Sequence, residues 1–188
     1  MANISEIIKN RRATPPRLFA KKELPKAIIE QLLESANWAP NHKKTEPWRF
    51  KVYTGAAKTE MAEKAYFHLK EKLNEGLPIA ADKVEKFKTT IERVPVAIAI
   101  VMQRDVANRL PEWEELAAVS MAVQNMWLHA TEMELGAFWA TPAFTHLLDD
   151  ILGIEPGQKC LGFFYVGEMM MDYPSPGRGN FAAKVEWK

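Results

Sequence analysis

Pro95-Val96-Ala97-Ile98-Ala99-Ile100-Val101-Met102 is the stretch on which the fold of this 188-residue chain turns. Its apolar residues do not alternate with polar ones. The strand they predict is therefore covered on both faces and lies centrally in a sheet. On its C-terminal side, Leu116, Val119, Val123, Met126, Trp127, Ala130 and Met133 fall at helical spacing and predict the longest helix, the axis of the core, with Gly136 as its stop. On its N-terminal side, Trp48 to Tyr53 reads as a strand, and Cys160 to Gly167 forms a second strong one. Ala137 to Pro142 is a short strand or turn, and Phe144 to Leu152 a short helix stopped by Gly153.

The remaining segments are helical or irregular. Ile4, Ile7 and Ile8 follow the N-cap candidate Asn3, and Arg11 continues their face. Pro25 opens a helix carrying Ile29, Leu32, Leu33 and Ala36 on one side, which stops at Ala39-Pro40. Gly55 to Lys72 is lysine-rich and reads as a solvated helix, and a second charged helix runs from about Ala81 to Arg93. The tail from Met169 to Lys188 has little periodicity and too few apolar residues for a core of its own, so it must lie on something. Few strands among many helices predict an α+β chain, read here as one domain over 1–188.

Composition narrows the function. Hydrophobic residues make up 47% and charged residues 26%, the balance of a chain with a real core. With 25 Lys+Arg against 24 Asp+Glu, the net charge of +1 builds no field for nucleic acid. No apolar run reaches the roughly 20 residues of a membrane span, and the N-terminal charges follow the apolar residues, opposite to a signal peptide. The expectation is a soluble cytoplasmic chain without nucleic-acid or membrane partners. One thiol, Cys160, permits no internal disulfide and reads as inert packing in a strand, and four histidines are a poor metal set. Gly-rich phosphate loops and a Gly-x-Ser-x-Gly elbow are absent from the sequence.

Three places remain. Asn10-Arg11-Arg12-Ala13-Thr14 puts two guanidiniums at a helix-to-turn junction. That suits a phosphate, because each guanidinium is a planar fork of donors, and it equally suits a solvated basic turn. Trp38-Ala39-Pro40-Asn41-His42-Lys43-Lys44-Thr45-Glu46-Pro47-Trp48 is a loop stiffened by proline at both ends, presenting Asn41, His42 and Glu46. It is either a ligand loop or an ordinary helix-to-strand connection. Gly136 to Thr141 sets small residues around Trp139, which would admit a flat ligand or make a core turn.

In their order and spacing these pieces resemble the FMN-dependent nitroreductase family, in its compact, minimal-length branch. The matching strings are Ile7-Ile8-Lys9-Asn10-Arg11-Arg12, then Leu32 to Lys43 running into Glu46-Pro47-Trp48-Arg49-Phe50, then Glu134-Leu135-Gly136-Ala137-Phe138-Trp139, and Leu152-Gly153-Ile154 leading to Leu161 to Gly167. The resemblance implies a small, mostly antiparallel sheet wrapped by helices. It also implies a homodimer whose C-terminal tails are swapped and whose interface holds FMN. Arg11, Arg12 and the position of Ala13 would grip the phosphate end. Trp38, Pro40, Asn41 and His42 would reach the flavin from the partner subunit, Glu46 would occupy a further cofactor-binding position, and Trp139, Ala140 and Thr141 would lie along the ring.

The implied activity passes electrons from NADH or NADPH through the flavin to a small-molecule acceptor such as a nitroaromatic or quinone, by a ping-pong mechanism. No protein residue acts as catalytic acid or base, and no metal is involved. Four departures stand out: Ala13 where the family carries Ser, Glu46 where Gln is common, and Trp38 and Ala140 where the compact branch often carries Arg. They leave open a non-catalytic FMN-binding or flavin-sequestering protein.

Overall fold

The computed structural model describes residues 3–174 and 177–188; Met1 and Ala2 at the start, and Ser175 and Pro176 in the tail, lie outside them. The elements are α1 Ile4–Asn10, α2 Lys26–Asn37, β1 Trp48–Tyr53, α3 Gly55–Asn74, α4 Ala81–Arg93, β2 Val96–Gln103, α5 Glu112–Glu132, β3 Leu135–Ala140, α6 Asp149–Leu152 and β4 Gln158–Glu168. The strands form one sheet in the order β1-β2-β4-β3, and every pairing is antiparallel.

β2 is central, as its unbroken apolar run requires. Val96, Ile98, Ile100 and Met102 pack with Leu32 of α2 and Val119, Val123 and Met126 of α5 on one face. Ala97 and Ala99 pack with Met61 and Leu69 of α3, Phe87 and Ile91 of α4, and Phe163 and Tyr165 of β4 on the other. The sheet is thus the middle layer between the α2–α5 pair and the α3–α4 pair. Small residues on the second face let the aromatic rings of β4 and α4 settle against it; Phe163 and Tyr165 stack, and Phe87 meets Phe144 edge-on.

The structure corrects four local readings. The helix from Gly55 is not simply solvated, since Met61, Ala62, Ala65 and Leu69 recur at helical spacing and are buried. Of the α1 apolar face only Ile7 is buried, while Ile4 and Ile8 are exposed. The segment before Gly153 is a 3₁₀ turn, Thr145–Leu148, followed by the single α turn of α6. Gly136 does not end the long helix. The turn is made by Glu134, in the left-handed conformation with φ 58°, and Gly136 already belongs to β3. A Cβ on Gly136 would press on the Phe19 ring and Met169, so this glycine answers a packing need.

β3 is the sheet's edge strand on the side opposite β1. Its end is drawn tightly onto β4 because Gly162 adopts φ +116° beside the register shift at Ile100/Val101, and a Cβ there would run into the Ala140 carbonyl. The Trp139 indole N–H fixes the same corner by donating to the Leu161 carbonyl at 3.1 Å. Along the outer side of β3 runs the segment that leaves α1, its Thr14 N–H donating to the Ala137 carbonyl at 2.9 Å.

Candidate active site

The segment Arg11 to Arg17 separates two cavities. Arg11, Arg12 and Ala13 line one of about 800 Å³, together with Gln124 and Trp127 of α5, and Tyr173 and Arg178 of the tail. Pro15, Pro16 and Arg17 line a larger one of about 1540 Å³, which extends along α4 and over Trp139, Ala140 and Thr141. Thr14, between the two sets, is buried, with its hydroxyl against the Met169 sulfur at 3.9 Å, and it lines neither cavity.

The smaller cavity gathers three guanidiniums. Arg11 follows directly on α1, whose start is fixed by an Asn3–Glu6 capping box. Its guanidinium lies 4.6 Å from the Trp127 ring centroid, a cation–π contact. Burial, and after it the charge of Arg178, lower the pKa of Arg11. Arg12 is held by its Nε donating to the Asn10 carbonyl at 3.0 Å and by an Nη1 contact with the Tyr173 carbonyl. The Trp127 indole N–H donates to the Arg12 carbonyl at 3.0 Å, tying the turn to α5. Like charges brought together in a half-buried pocket repel. An oxyanion placed among them would offset that repulsion.

Trp38, Pro40, Asn41, His42 and Glu46 are brought together with one another, but line neither cavity. Their loop sits against the start of α5, where His42 Nδ1 and Glu114 Oε2 are 2.7 Å apart and the Lys43 ammonium donates to the Arg109 carbonyl at 3.2 Å. Trp127, beside the arginines, lies farther along the same helix; from Glu114 to Trp127 the rise is roughly 20 Å. Lys43, Lys44 and Glu46 all adopt positive φ, at 53°, 55° and 42°. Non-glycine residues pay on the order of 1 kcal/mol or more each for that conformation, which concentrates at functional sites. Asn41 holds the shape by accepting the Glu46 N–H at 3.1 Å. Trp38 is left 78% exposed.

Sequence reasoning missed Arg178, Gln124 and Trp127 as wall residues of the smaller cavity, and the α4 wall of the larger one. No local pattern marks Arg178, which reaches the early arginines only through the course of the tail. The helical spacing of Lys83, Phe87, Thr90 and Val94 was the available signal for α4.

Residues 8–168 match the model of the nitroreductase family. YfhC of Bacillus subtilis strain 168, named provisionally as an NAD(P)H nitroreductase, is 36% identical over 139 residues, covering 72% of this chain and 68% of that one. A nitroreductase-like family protein from Bacillus cereus superposes with a TM-score of 0.84 at 26% identity, covering 100% of this chain and 97% of the other. The FMN-dependent nitroreductase NfnB from Mycobacterium smegmatis, solved with NADPH, shares the fold at TM-score 0.74 and 19% identity, covering 98% of each chain.

Proposed function

The chain belongs to the nitroreductase family, and on that premise we propose that it is an FMN-dependent oxidoreductase using NADH or NADPH to reduce a nitroaromatic, quinone or similar acceptor. The observation that carries the reading is the cluster of Arg11, Arg12 and Arg178 around a cavity beside the β3 edge, with Trp139, Ala140 and Thr141 on the other side of one short segment. The donor set fits the cofactor's phosphate, because three guanidiniums suit a phosphate monoester, and the apolar walls of the larger cavity suit a flat body.

The chemistry supplied by bound FMN is hydride acceptance from the nicotinamide and electron delivery to the acceptor, the two reactants occupying one place in turn. The protein's part is to hold and to exclude. Arg11, Arg12 and Arg178 would anchor the phosphate. The missing hydroxyl at Ala13 is not supplied by Thr14, whose side chain faces Met169. The backbone of Trp139 to Thr141 would support the ring, while Phe87 and Phe144 form an apolar wall that keeps water away. No side chain is assigned as acid or base.

The site is completed by a second copy. Asn41 and His42 stand too far along α5 from the arginines to serve the same cofactor within one chain, and their strained loop is presented outward. Ile4 and Ile8 of α1, Trp113, Leu116 and Met121 of α5, and Phe181 and Trp187 of the tail are all exposed apolar side chains that a homodimer with crossing tails would cover. The test is the visible spectrum of the purified protein before and after NADH or NADPH, with its mass in solution. A yellow dimer bleached by either nucleotide is expected. A preparation that stays colourless after FMN is added, or a yellow one that neither nucleotide bleaches, refutes the oxidoreductase reading.

A further inference from the structure

The larger cavity has a charge imbalance on its wall. Arg17, Lys21, Lys58, Lys83, Lys86 and Arg93 stand on its wall against two carboxylates, Glu23 and Glu92. Glu92 is itself engaged at 2.6 Å by Lys88, which is not on the wall. Among the described residues none of the six wall cations forms an ion pair, although eleven such pairs hold charges elsewhere on the molecule.

Two of the six are tied by the fold. Lys58 is buried, and its ammonium donates to the Val94 and Glu92 carbonyls that end α4. Arg93 donates through Nη2 to the Arg17 carbonyl at 2.6 Å, which joins two cationic residues at one end of the cavity. Arg93 Nε is the buried side-chain nitrogen that has no hydrogen-bond partner among the described residues. Lys83 and Lys86 sit one turn apart on α4 and so share a face. Phe87, Phe144 and Trp139 make the wall apolar near them. A cleft lined by one sign of charge and walled by apolar groups focuses its potential on whatever enters.

We infer that this cavity selects a ligand carrying an anionic group on a flat apolar body. The anion is a carboxylate or sulfonate on an aromatic electron acceptor, or the 2′-phosphate of the nicotinamide donor. The inference rests on the proposed function in treating the cavity as the place where donor and acceptor meet the flavin, and it adds the charge class of the reactant.

The experiment compares 4-nitrobenzoate with its neutral counterpart 4-nitrobenzamide, by calorimetric binding to the protein as purified and then by kcat/KM. NADPH and NADH are compared in parallel. Wild type, Lys83→Gln/Lys86→Gln and Arg17→Gln are measured at low salt, with FMN content recorded for each. At least one charge ratio is expected to favour the anion by roughly tenfold, the factor one charge-assisted contact of about 1.4 kcal/mol supplies. That ratio collapses in one or both variants. Loss of the benzoate preference places the anion on the acceptor; loss of the NADPH preference places it on the donor. Ratios near one in wild type, or ratios untouched in both variants, overturn the inference. Failure of the oxidoreductase reading is separable, because it appears as missing flavin or missing bleaching, whereas the calorimetric ratio of benzoate to benzamide is read with no reductant present.

Discussion

Replacing Arg11 by Gln separates a binding role from a structural one. In the flavin-free protein the substitution removes a cation–π contact at 4.6 Å on Trp127, about 0.5–1 kcal/mol at a partly exposed site. It also relieves the repulsion from Arg178 that helps lower the Arg11 pKa. These changes oppose each other, so apo stability should move by no more than about 1 kcal/mol, a few degrees of Tm for a chain of this size. In the holoprotein the same substitution deletes a charge-assisted contact to phosphate. Such a contact is worth roughly 1.5–3 kcal/mol, a 10- to 150-fold weaker Kd for FMN. The assay is titration of the deflavinated protein by quenching of flavin fluorescence at fixed salt, with thermal melts of the apo forms alongside. An FMN Kd within about twofold of the parent's would refute the anchoring argument. A large fall in apo Tm would show that Arg11 serves the fold instead.

Gly162→Ala should cost about 2–4 kcal/mol in urea unfolding, because φ +116° is strained for any side chain and the new Cβ meets the Ala140 carbonyl; an unchanged midpoint would contradict the close approach of β3 to β4. Glu115→Ala should cost about 3–5 kcal/mol in the same assay, since this fully buried carboxylate accepts from the Arg104 guanidinium and, at 2.7 Å, from the Asp105 N–H. Burial pushes the Cys160 thiol from 9.0 up to about 11, so between those values the unfolded chain releases a proton that the native one keeps. Stability should therefore fall as pH rises from about 9 to about 11, by roughly 2–3 kcal/mol. Cys160→Ala should flatten that fall, leaving above pH 10 the slope of the buried Tyr165 phenol, whose pKa is also raised by burial.

Periodicity carried most of the fold into view. The β2 run and the α5 spacing fix which face each element buries, and burial on two faces leaves little freedom over where the other strands pair. What stayed hidden depends on contacts distant in sequence. Met61, Ala62, Ala65 and Leu69 are interspersed with lysines and glutamates, so α3 reads as solvated until its stripe meets the second face of the sheet. Arg178 meets Arg11 only because the tail folds back. The left-handed turns at Lys43, Lys44 and Glu46 carry no glycine to announce them. Among the candidate site residues, Arg11 and Arg12 stood out as adjacent guanidiniums at a helix end, a pattern that a solvated basic turn shares, and the structure places both on the wall of one cavity. Asn41 and His42 were placed by their setting between prolines, not by anything their own chemistry requires.

A site divided between copies, as proposed, would have a thermodynamic consequence. If the arginines and the Asn41–His42 loop of different copies hold one cofactor, FMN binds the dimer better than the isolated chain. By reciprocity it then tightens the dimer by the same factor. The outward loop already holds its unfavourable backbone conformation through Asn41, so little ordering remains when the copies meet, and the coupling reads as contact formation. Dilution through the dimer's dissociation range should therefore release flavin, and added FMN should shift sedimentation toward the dimer at a fixed protein concentration. Met121→Glu, which charges an exposed apolar position on α5, should weaken association and flavin retention together although it changes no residue assigned to the phosphate. Flavin affinity that stays constant across the dissociation range would mean that each chain holds its cofactor alone, and the loop would then need another explanation for its strain.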